Sequence, residues 1–457
     1  MRPRTVGILG LARSGHAAAK LALARGEHVF ASDAASSADV AAAAAEIRAL
    51  GGDAETGGHS TDRLAQCDLL VVSPGIPPDA AVLQNGALAH VPRISEIEYA
   101  FQWLAAPVLC VTGTNGKSTT TALAAHLLQA AELDAPAAGN IGLALSEIAL
   151  RDEPPDWVVV EASSFQLAGV DRFAPRIGVV TNLSPDHLDR YATVADYYGD
   201  KANLFSNASP SDVWVLNGED EAVRSLPSDA PGRRRYFRTE LPLLEDEEGG
   251  YVGTDGALVL RENGRDAALV NVTELRLLGR HNWANALAAS IAAVAAGANP
   301  VAVAAGLRSF AGLAHRLEVV AEAGGVAWIN DSKATNVSST RVALRSMTRP
   351  TVVLLGGRHK GEPYASLADD LREHARVVIA YGEAGPIIVA DVGEYVPVLH
   401  VAGPFEDVVD TAARCAQPGD AILLSPACSS YDMFRNFEER GRRFTELAGA
   451  RTEPSHG

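Results

Sequence analysis

The sequence predicts an α/β protein of three domains, each built on a largely parallel sheet flanked by helices. Three observations carry this expectation. The chain has 457 residues, too many for one hydrophobic core and suited to about three domains at about 150 residues each. Apolar runs of strand length alternate with Ala/Leu-rich helical segments through most of it. Polar or glycine-containing turns follow several of these runs at their carboxyl ends, where ligands of open α/β sheets gather. The pattern restarts after Arg93 and near Gly312, which sets the expected domains at 1–94, 95–311 and 312–457.

Composition narrows the class further. A hydrophobic content of 47% is ordinary for a soluble globular protein, and no apolar run reaches the roughly 20 residues that span a bilayer. The short apolar segment ending at Leu11 is too brief for a signal core, so a cytoplasmic protein is expected. A net charge of −17 makes nucleic acid and anionic membrane poor partners, so a phosphorylated substrate must be held by local cations. The four cysteines, Cys67, Cys110, Cys415 and Cys428, lack the paired spacing of a zinc site or disulfide framework and read as small buried hydrophobes.

The first block opens with a strand, Thr5 to Leu9. The turn Gly10-Leu-Ala-Arg-Ser-Gly15, a helix from Ala17 to Ala24 and a strand from Val29 to Ala31 complete a βαβ unit of Rossmann type. Ala12 stands where a dinucleotide fingerprint has its second glycine, which argues against such a cofactor. Asp33 lies about 20 residues past the turn, where a carboxylate binds a ribose hydroxyl or its equivalent. A further strand, Leu69 to Val72, runs into Ser73-Pro74-Gly75, a second loop at a strand's carboxyl end. Plain turn chemistry explains both loops equally well at this point.

The second block carries the most informative stretch, Val108 to Thr121, in which an apolar strand breaks into Gly113-Thr114-Asn115-Gly116 and then opens a helix at Lys117-Ser118-Thr119. Backbone N–H groups and the helix start cradle an anion, the lysine meets the terminal phosphates, and the serine holds Mg²⁺. Val111 occupies the position of the motif's first glycine, so the strict pattern is not met. Trp157 to Val160 is a strand delivering Glu161, and Ile177 to Thr181 is one delivering Asn182 and then His187. Lysine, carboxylate and imidazole thus arrive at one sheet edge. The acidic run Glu245 to Glu248 reads as a solvated hairpin face. Leu278 to Asn285 opens an Ala-rich helix, with Asn282 and Asn285 one turn apart either to read a purine edge or to cap the helix.

The third block repeats the plan. Strands at Trp328, Thr351 to Leu355 and Ala421 to Leu424 end in Asn330 to Asn336, Gly356 to Lys360 and Ser425 to Ser430. The tail from Arg451 to Gly457 is polar and expected to be disordered.

Together Thr112 to Thr119, Glu161-Ala-Ser-Ser-Phe-Gln-Leu167, Asn182 to Tyr191, His281-Asn-Trp-Ala-Asn285 and His315-Arg316 resemble the ATP-dependent Mur ligases of peptidoglycan synthesis. Order and spacing match from Gly10 to Phe444. Asn330 to Asn336 and Ser425 to Gly441 look like the branch of that family that adds D-glutamate. The resemblance implies a Rossmann-like first domain, a central phosphate-loop ATPase domain and a Rossmann-like third domain. It implies an amide-forming reaction in which ATP converts the carboxylate of UDP-N-acetylmuramoyl-L-alanine into an acyl phosphate that D-glutamate attacks. Ala34-Ala35 departs from the Thr-Arg of better-known members, which leaves the uridine contacts open.

The site residues follow from the same resemblance. Lys117, Glu161, His187 and Lys201 are implied to be catalytic; Gly113 to Thr119, Asn285, Arg316 and Asp331 to bind ATP; Arg13, Ser14, Asp33, Ser73, Pro74, Gly75, Asn140 and His187 to bind the UDP substrate. Lys333, Thr335, Lys360, Ser430 and Phe437 are implied to bind D-glutamate. Two Mg²⁺ ions are implied, held by Ser118, Glu161, His187 and Lys201, the last as a CO₂-derived carbamate because an ammonium cannot bind a cation. A monomer acting on small molecules is expected. A Rossmann oxidoreductase would leave Lys117 idle, and a nucleotide-binding regulatory module would not need Glu161, His187 and Lys201.

Overall fold

A computed structural model describes residues 3–187 and 190–451. Leu188 and Asp189 of the His187 motif, and all of the polar tail except Arg451, lie outside the described residues.

The first sheet is wholly parallel, with strands β1 (Thr5–Leu9), β2 (His28–Asp33), β3 (Asp53–Thr56), β4 (Leu69–Val72) and β5 (Arg93–Ser95) in the order β3-β2-β1-β4-β5. Chain direction across the sheet reverses between β1 and β4, and the crevice at their carboxyl ends is the ligand position of such sheets. Both faces are covered. Val6, Ile8, Val29 and Ala31 enter one core while Leu9, Phe30 and Leu70 enter another, which is why these strands read as continuous apolar runs and not as alternating ones.

The second sheet has nine strands: β6 (Val108–Thr112), β7 (Ala137–Gly139), β8 (Val158–Glu161), β9 (Ile177–Val180), β10 (Val213–Asn217), β11 (Arg233–Arg238), β12 (Gly249–Val252), β13 (Ala257–Glu262) and β14 (Arg265–Asn271). The order is β14-β13-β12-β11-β10-β9-β6-β8-β7, parallel except for the β12–β14 meander. Strands β6, β8 and β9 are adjacent, so the turns bearing the phosphate loop, Glu161 and Asn182 emerge side by side.

The third sheet comprises β15 (Glu318–Ala323), β16 (Val326–Asn330), β17 (Thr351–Gly356), β18 (Ala375–Tyr381), β19 (Val398–Val401) and β20 (Ala421–Leu424), in the order β15-β16-β20-β17-β18-β19. Only β15 is antiparallel. Alternate residues again divide between two cores, Ile329, Val353 and Leu423 on one side and Trp328, Val352 and Ile422 on the other. The chain forms two compact units: one runs to Glu274 and includes Trp283–Arg308, the other comprises Leu275–Asn282 and the residues from Ser309 onward. The first two sheets therefore share a unit and a core, in which Val6 and Ala100 join Val108 and Val160.

Some local expectations change. The first helix begins at Arg13, four residues before Ala17, because the turn itself is the helix start. A Cβ on Gly15 would overlap the Gly10 carbonyl, so only glycine allows this approach. The acidic run is not uniformly solvated. Glu247 is buried, accepting from Arg238 Nε and Nη2 at 2.9 Å and from Arg224 Nη1 at 2.7 Å. Burial disfavours its charged form, but the arginine bonds outweigh that and hold its pKa at about 2. Reading the run as one face overlooked the basic strand β11, whose Arg238 lies opposite. Cys67, Cys110 and Cys428 are buried as expected, while Cys415 is only partly so.

Glu98 shows how the first two sheets are joined. It lies in the helix Glu96–Phe101 between them and is fully buried. Its carboxylate accepts backbone N–H groups from Asp171 (3.0 Å), Arg172 (3.0 Å) and Phe173 (2.9 Å). Glu98→Ala would leave these donors without an acceptor and should lower stability by about 3 kcal/mol or more. The expected result is an earlier urea midpoint for this unit, and an unchanged midpoint would contradict the joint described here.

Candidate functional site

The phosphate loop is shaped by two glycines and by the side chains around it. Gly113 has φ of 138° and Gly116 of 82°, and a Cβ on either would overlap Thr181 Oγ1 or Asn285 Oδ1 respectively. Side chains hold the loop carbonyls. Lys201 Nζ donates to Gly113 O at 2.8 Å, Lys117 Nζ to Thr114 O at 2.7 Å, and both Thr181 Oγ1 (2.6 Å) and Asn182 Nδ2 (2.9 Å) to Asn115 O. The Asn182 amide also accepts from Asn115 N at 2.9 Å, a reciprocal pair that copies a strand ladder. Gly116 caps the helix Lys117–Ala130, so the positive end of that helix faces the loop, with Ser118 and Thr119 buried in its first turn.

Asn285 packs against this start and accepts from Thr120 Oγ1 at 3.2 Å. Asn282 instead donates to Leu278 O at 2.7 Å, within its own helix opening. The two asparagines thus take different partners.

Glu161 ends β8 with 1% exposure. Its Oε1 accepts from Asn140 Nδ2 at 2.7 Å, while its Oε2 is buried with no hydrogen-bond partner. A buried carboxylate oxygen without a donor is costly unless a cation takes it. The residues fit a Mg²⁺ ion on this ground: Glu161 Oε2 offers one hard oxygen and the Ser118 hydroxyl another. Among the described residues no group of three or more His, Cys, Asp and Glu side chains is placed to hold a metal, so other donors would have to complete the coordination.

Lys201 is the unusual neighbour. It is 1% exposed, and its Nζ lies 4.5 Å from the centre of the Tyr197 ring. Burial, reinforced by the charge of Lys117, pushes its pKa down to about 7, against the opposing pull of Asp186, Asp200 and Glu161. Those influences put Lys117, Glu161 and Lys201 in one electrostatic neighbourhood. His187 has φ of 54°, and its ring lies 5.0 Å from Phe165 and 6.0 Å from Tyr197.

At the first sheet's crevice, Ser73 Oγ donates to Gly10 O at 3.2 Å and joins the two loops, with Pro74 and Gly75 following. Asp33 accepts from Leu11 N at 2.6 Å and from Ala35 N at 2.8 Å, so its carboxylate shapes the turn. Ser14 sits half-buried in the first turn of the helix Arg13–Ala24, while the Arg13 guanidinium turns to the loop Gly139–Gly142 and donates to its carbonyls.

The second unit gathers another set. Asp331 follows β16, accepts from Ser425 Oγ at 2.8 Å and Leu317 N at 3.3 Å, and is pushed by burial up to about 7 despite the nearby Arg316 charge. Lys333 Nζ lies 5.2 Å from the centre of the Phe437 ring, and Thr335 N donates to Lys333 O at 2.8 Å. Ser430 is buried on the loop after β20, and Lys360 is exposed on the loop after β17. Buried Arg440 fastens this cluster by donating to Ser332 Oγ and Ser332 O, each at 2.9 Å. Sequence reasoning assigned no role to Arg440, Thr181 or Asn182. Asn182 stood within a motif and was detectable as an amide at a strand end, but Arg440 gave no sign apart from the length of its motif.

Phosphate loop, carboxylate and buried lysine on one sheet edge define a nucleotide-dependent transferase or ligase. The sequence profile of the Mur ligase middle domain matches residues 111–293, and that of the Mur ligase glutamate ligase domain matches residues 315–428. The chain belongs to the Mur ligases. It is 41% identical to the UDP-N-acetylmuramoylalanine--D-glutamate ligase of Salinibacter ruber over 96% of both chains. It is also 41% identical to the ligase of that name in Anaeromyxobacter dehalogenans over 97% of both. Among solved structures, a pseudomurein peptide ligase type C from Methanothermus fervidus matches with a TM-score of 0.60 at 18% identity, covering 97% of this chain and 99% of that one. MurF from Acinetobacter baumannii matches with 0.61 at 17%, covering 97% and 93%. At these identities the likeness is one of fold.

The buried amine has a thermodynamic consequence. Below pH 7 both folded and unfolded states carry the Lys201 proton; between about 7 and 10.5 only the unfolded state keeps it, so this group makes stability rise with pH across that window. Lys201→Met should therefore stabilise the protein near pH 7 in CO₂-depleted buffer by about 1 kcal/mol or more. The gain should shrink toward pH 10. Urea unfolding at both pH values checks this, and a variant less stable than wild type at pH 7 contradicts it.

Proposed function

We propose that the chain is an ATP-dependent, amide-forming ligase that joins D-glutamate to UDP-N-acetylmuramoyl-L-alanine, as the names of its relatives state for them. The observation that carries the reading is the phosphate loop at the same sheet edge as the buried, unpartnered Glu161 oxygen. A site that accepts a triphosphate and a cation at one sheet edge can activate a carboxylate, whose own leaving group would otherwise be oxide.

In the first step a carboxylate oxygen of the L-alanine residue attacks the γ-phosphorus, the bond to ADP breaks and an acyl phosphate forms. The D-glutamate amine then attacks the acyl carbon, phosphate leaves and the nitrogen gives up a proton. Lys117 and the loop amides from Gly113 to Thr119 hold the phosphates. Ser118, Glu161, His187 and Lys201 would hold Mg²⁺, which when bound neutralises charge between triphosphate and carboxylate. In the nucleotide set, Asn285 would serve the adenine side, Arg316 the phosphates and Asp331 the ribose. The backbone of Arg13 and Ser14, with Asp33, Ser73, Pro74, Gly75, Asn140 and His187, receives the UDP substrate. Lys333, Thr335 and Lys360 donate to the carboxylates of D-glutamate, Ser430 adds hydroxyl or backbone contacts, and Phe437 walls the pocket.

These assignments divide the chain into working domains at 1–94, 95–311 and 312–457, in a cytoplasmic monomer. Lys201 acts as a carbamate: its neutral amine adds to CO₂ with loss of a proton, which turns a buried cation into an anionic oxygen donor. Its burial and its lowered pKa support this chemistry.

Phosphate release should require both UDP-N-acetylmuramoyl-L-alanine and D-glutamate, measured against a panel of D- and L-amino acids. Equal turnover with L-glutamate, or none with D-glutamate, overturns the reading. Lys201→Ala should lose at least about 100-fold in kcat, since it removes a metal ligand, and added acetate should restore part of it. Full activity without acetate would exclude a catalytic part for this lysine.

A further inference from the structure

The Arg13 guanidinium reaches far along the chain. It donates to Gly142 O at 2.6 Å, Gly139 O at 3.0 Å and Asn140 O at 3.2 Å. These carbonyls converge because the loop is tightly folded, with Gly139 at φ 93° and Gly142 at φ 64°, and with Gly139 N donating to Leu143 O at 2.8 Å. Arg13 also lies close enough to buried Glu96 for its charge to oppose that carboxyl's burial-raised pKa. No other side chain type suits the position as well, since the planar guanidinium fork addresses several acceptors at once and lysine offers a point charge.

The same loop grips Glu161 from the other side. Asn140 N donates to Glu161 O at 2.9 Å, and Asn140 Nδ2 donates to Glu161 Oε1 at 2.7 Å. Occupying Oε1 in this way orients the carboxylate and leaves Oε2 as its buried, unpartnered oxygen. One continuous set of hydrogen bonds thus runs from the first residue of the helix Arg13–Ala24, through the Gly139–Gly142 loop, to the Glu161 oxygen opposite the unpartnered one.

We propose that Arg13 is a positioning residue that fixes the Glu161 carboxylate through Asn140, so that a nucleoside diphosphate seated on the Gly10–Ser14 turn strengthens cation binding at Glu161. The inference rests on the functional reading above for the identity of the two ligands. It assigns the Arg13 side chain to the metal carboxylate and leaves the diphosphate to the backbone of its turn. Substrate seated on the turn restrains Arg13, Arg13 restrains the loop, and the loop restrains Glu161. The coupling is reciprocal, so a bound cation must tighten the diphosphate by the same factor.

The test uses the full chain and its Arg13→Ala, Arg13→Lys and Asn140→Ala variants, with thermal melting to establish that each is folded. UDP binding is measured by calorimetry, and Mn²⁺ binding in the presence of ADP by water-proton relaxation, with and without UDP. In wild type, UDP should tighten Mn²⁺ about fivefold. In Arg13→Ala, Mn²⁺ should bind about tenfold more weakly and the UDP effect should vanish, while UDP affinity without metal changes less than threefold. Arg13→Lys should restore only part of the Mn²⁺ affinity. Arg13→Ala combined with Asn140→Ala should be no weaker than Asn140→Ala alone. Unchanged Mn²⁺ affinity in Arg13→Ala overturns the proposal, as does a tenfold loss of UDP affinity without metal, which would make Arg13 a diphosphate ligand. Failure of the wild type to bind UDP or Mn²⁺ with ADP would instead count against the functional reading itself.

Discussion

The structure depends on a backbone constraint at the phosphate loop: three consecutive carbonyls, from Gly113, Thr114 and Asn115, are each held by side-chain donors. A loop of this kind has no ladder of its own, and its carbonyls would otherwise be free to turn toward an incoming anion. Lys201, Lys117, Thr181 and Asn182 hold them in place. Each donor comes from a different turn or helix at the sheet edge, except the adjacent pair Thr181 and Asn182, so the arrangement requires β6 and β9 to be neighbours. The glycines at 113 and 116 are the cost of that packing, since no side chain fits where Thr181 and Asn285 press against the backbone.

Groups that burden the folded state gather around this constraint. A lysine is buried beside Tyr197, a carboxylate oxygen is buried without a donor, and His187 takes a left-handed backbone conformation. Each is unfavourable in the chain by itself. Two other buried carboxylates have their partners built in. Glu98 takes three backbone donors, and Glu247 takes two arginines.

Much of this was legible in the chain. Strands β1, β4 and β20 fall where apolar runs between turn residues placed them, because both faces of a parallel sheet are covered and the whole run must be apolar. The phosphate loop and Glu161 were legible because their chemistry needs particular residue types at strand ends. The buried state of Glu247 was not, since a charged run carries no trace of an arginine waiting on the neighbouring strand.

The sequence by itself determined the three α/β blocks, the order of their strands and helices, and the residue types at each strand's end. These follow from local spacing, turn residues and apolar length, which are properties of short segments. Tertiary structure decided what those residues touch. It turned the Arg13 guanidinium to carbonyls 126 and more residues away, gave Asn140 to Glu161 and left one carboxylate oxygen unpaired. It also lowered the Lys201 pKa, which is a property of its burial and charged neighbours. Such contacts join segments far apart in the chain, and only the crossovers that bring β1, β6, β7 and β8 to their places in the sheets make them neighbours.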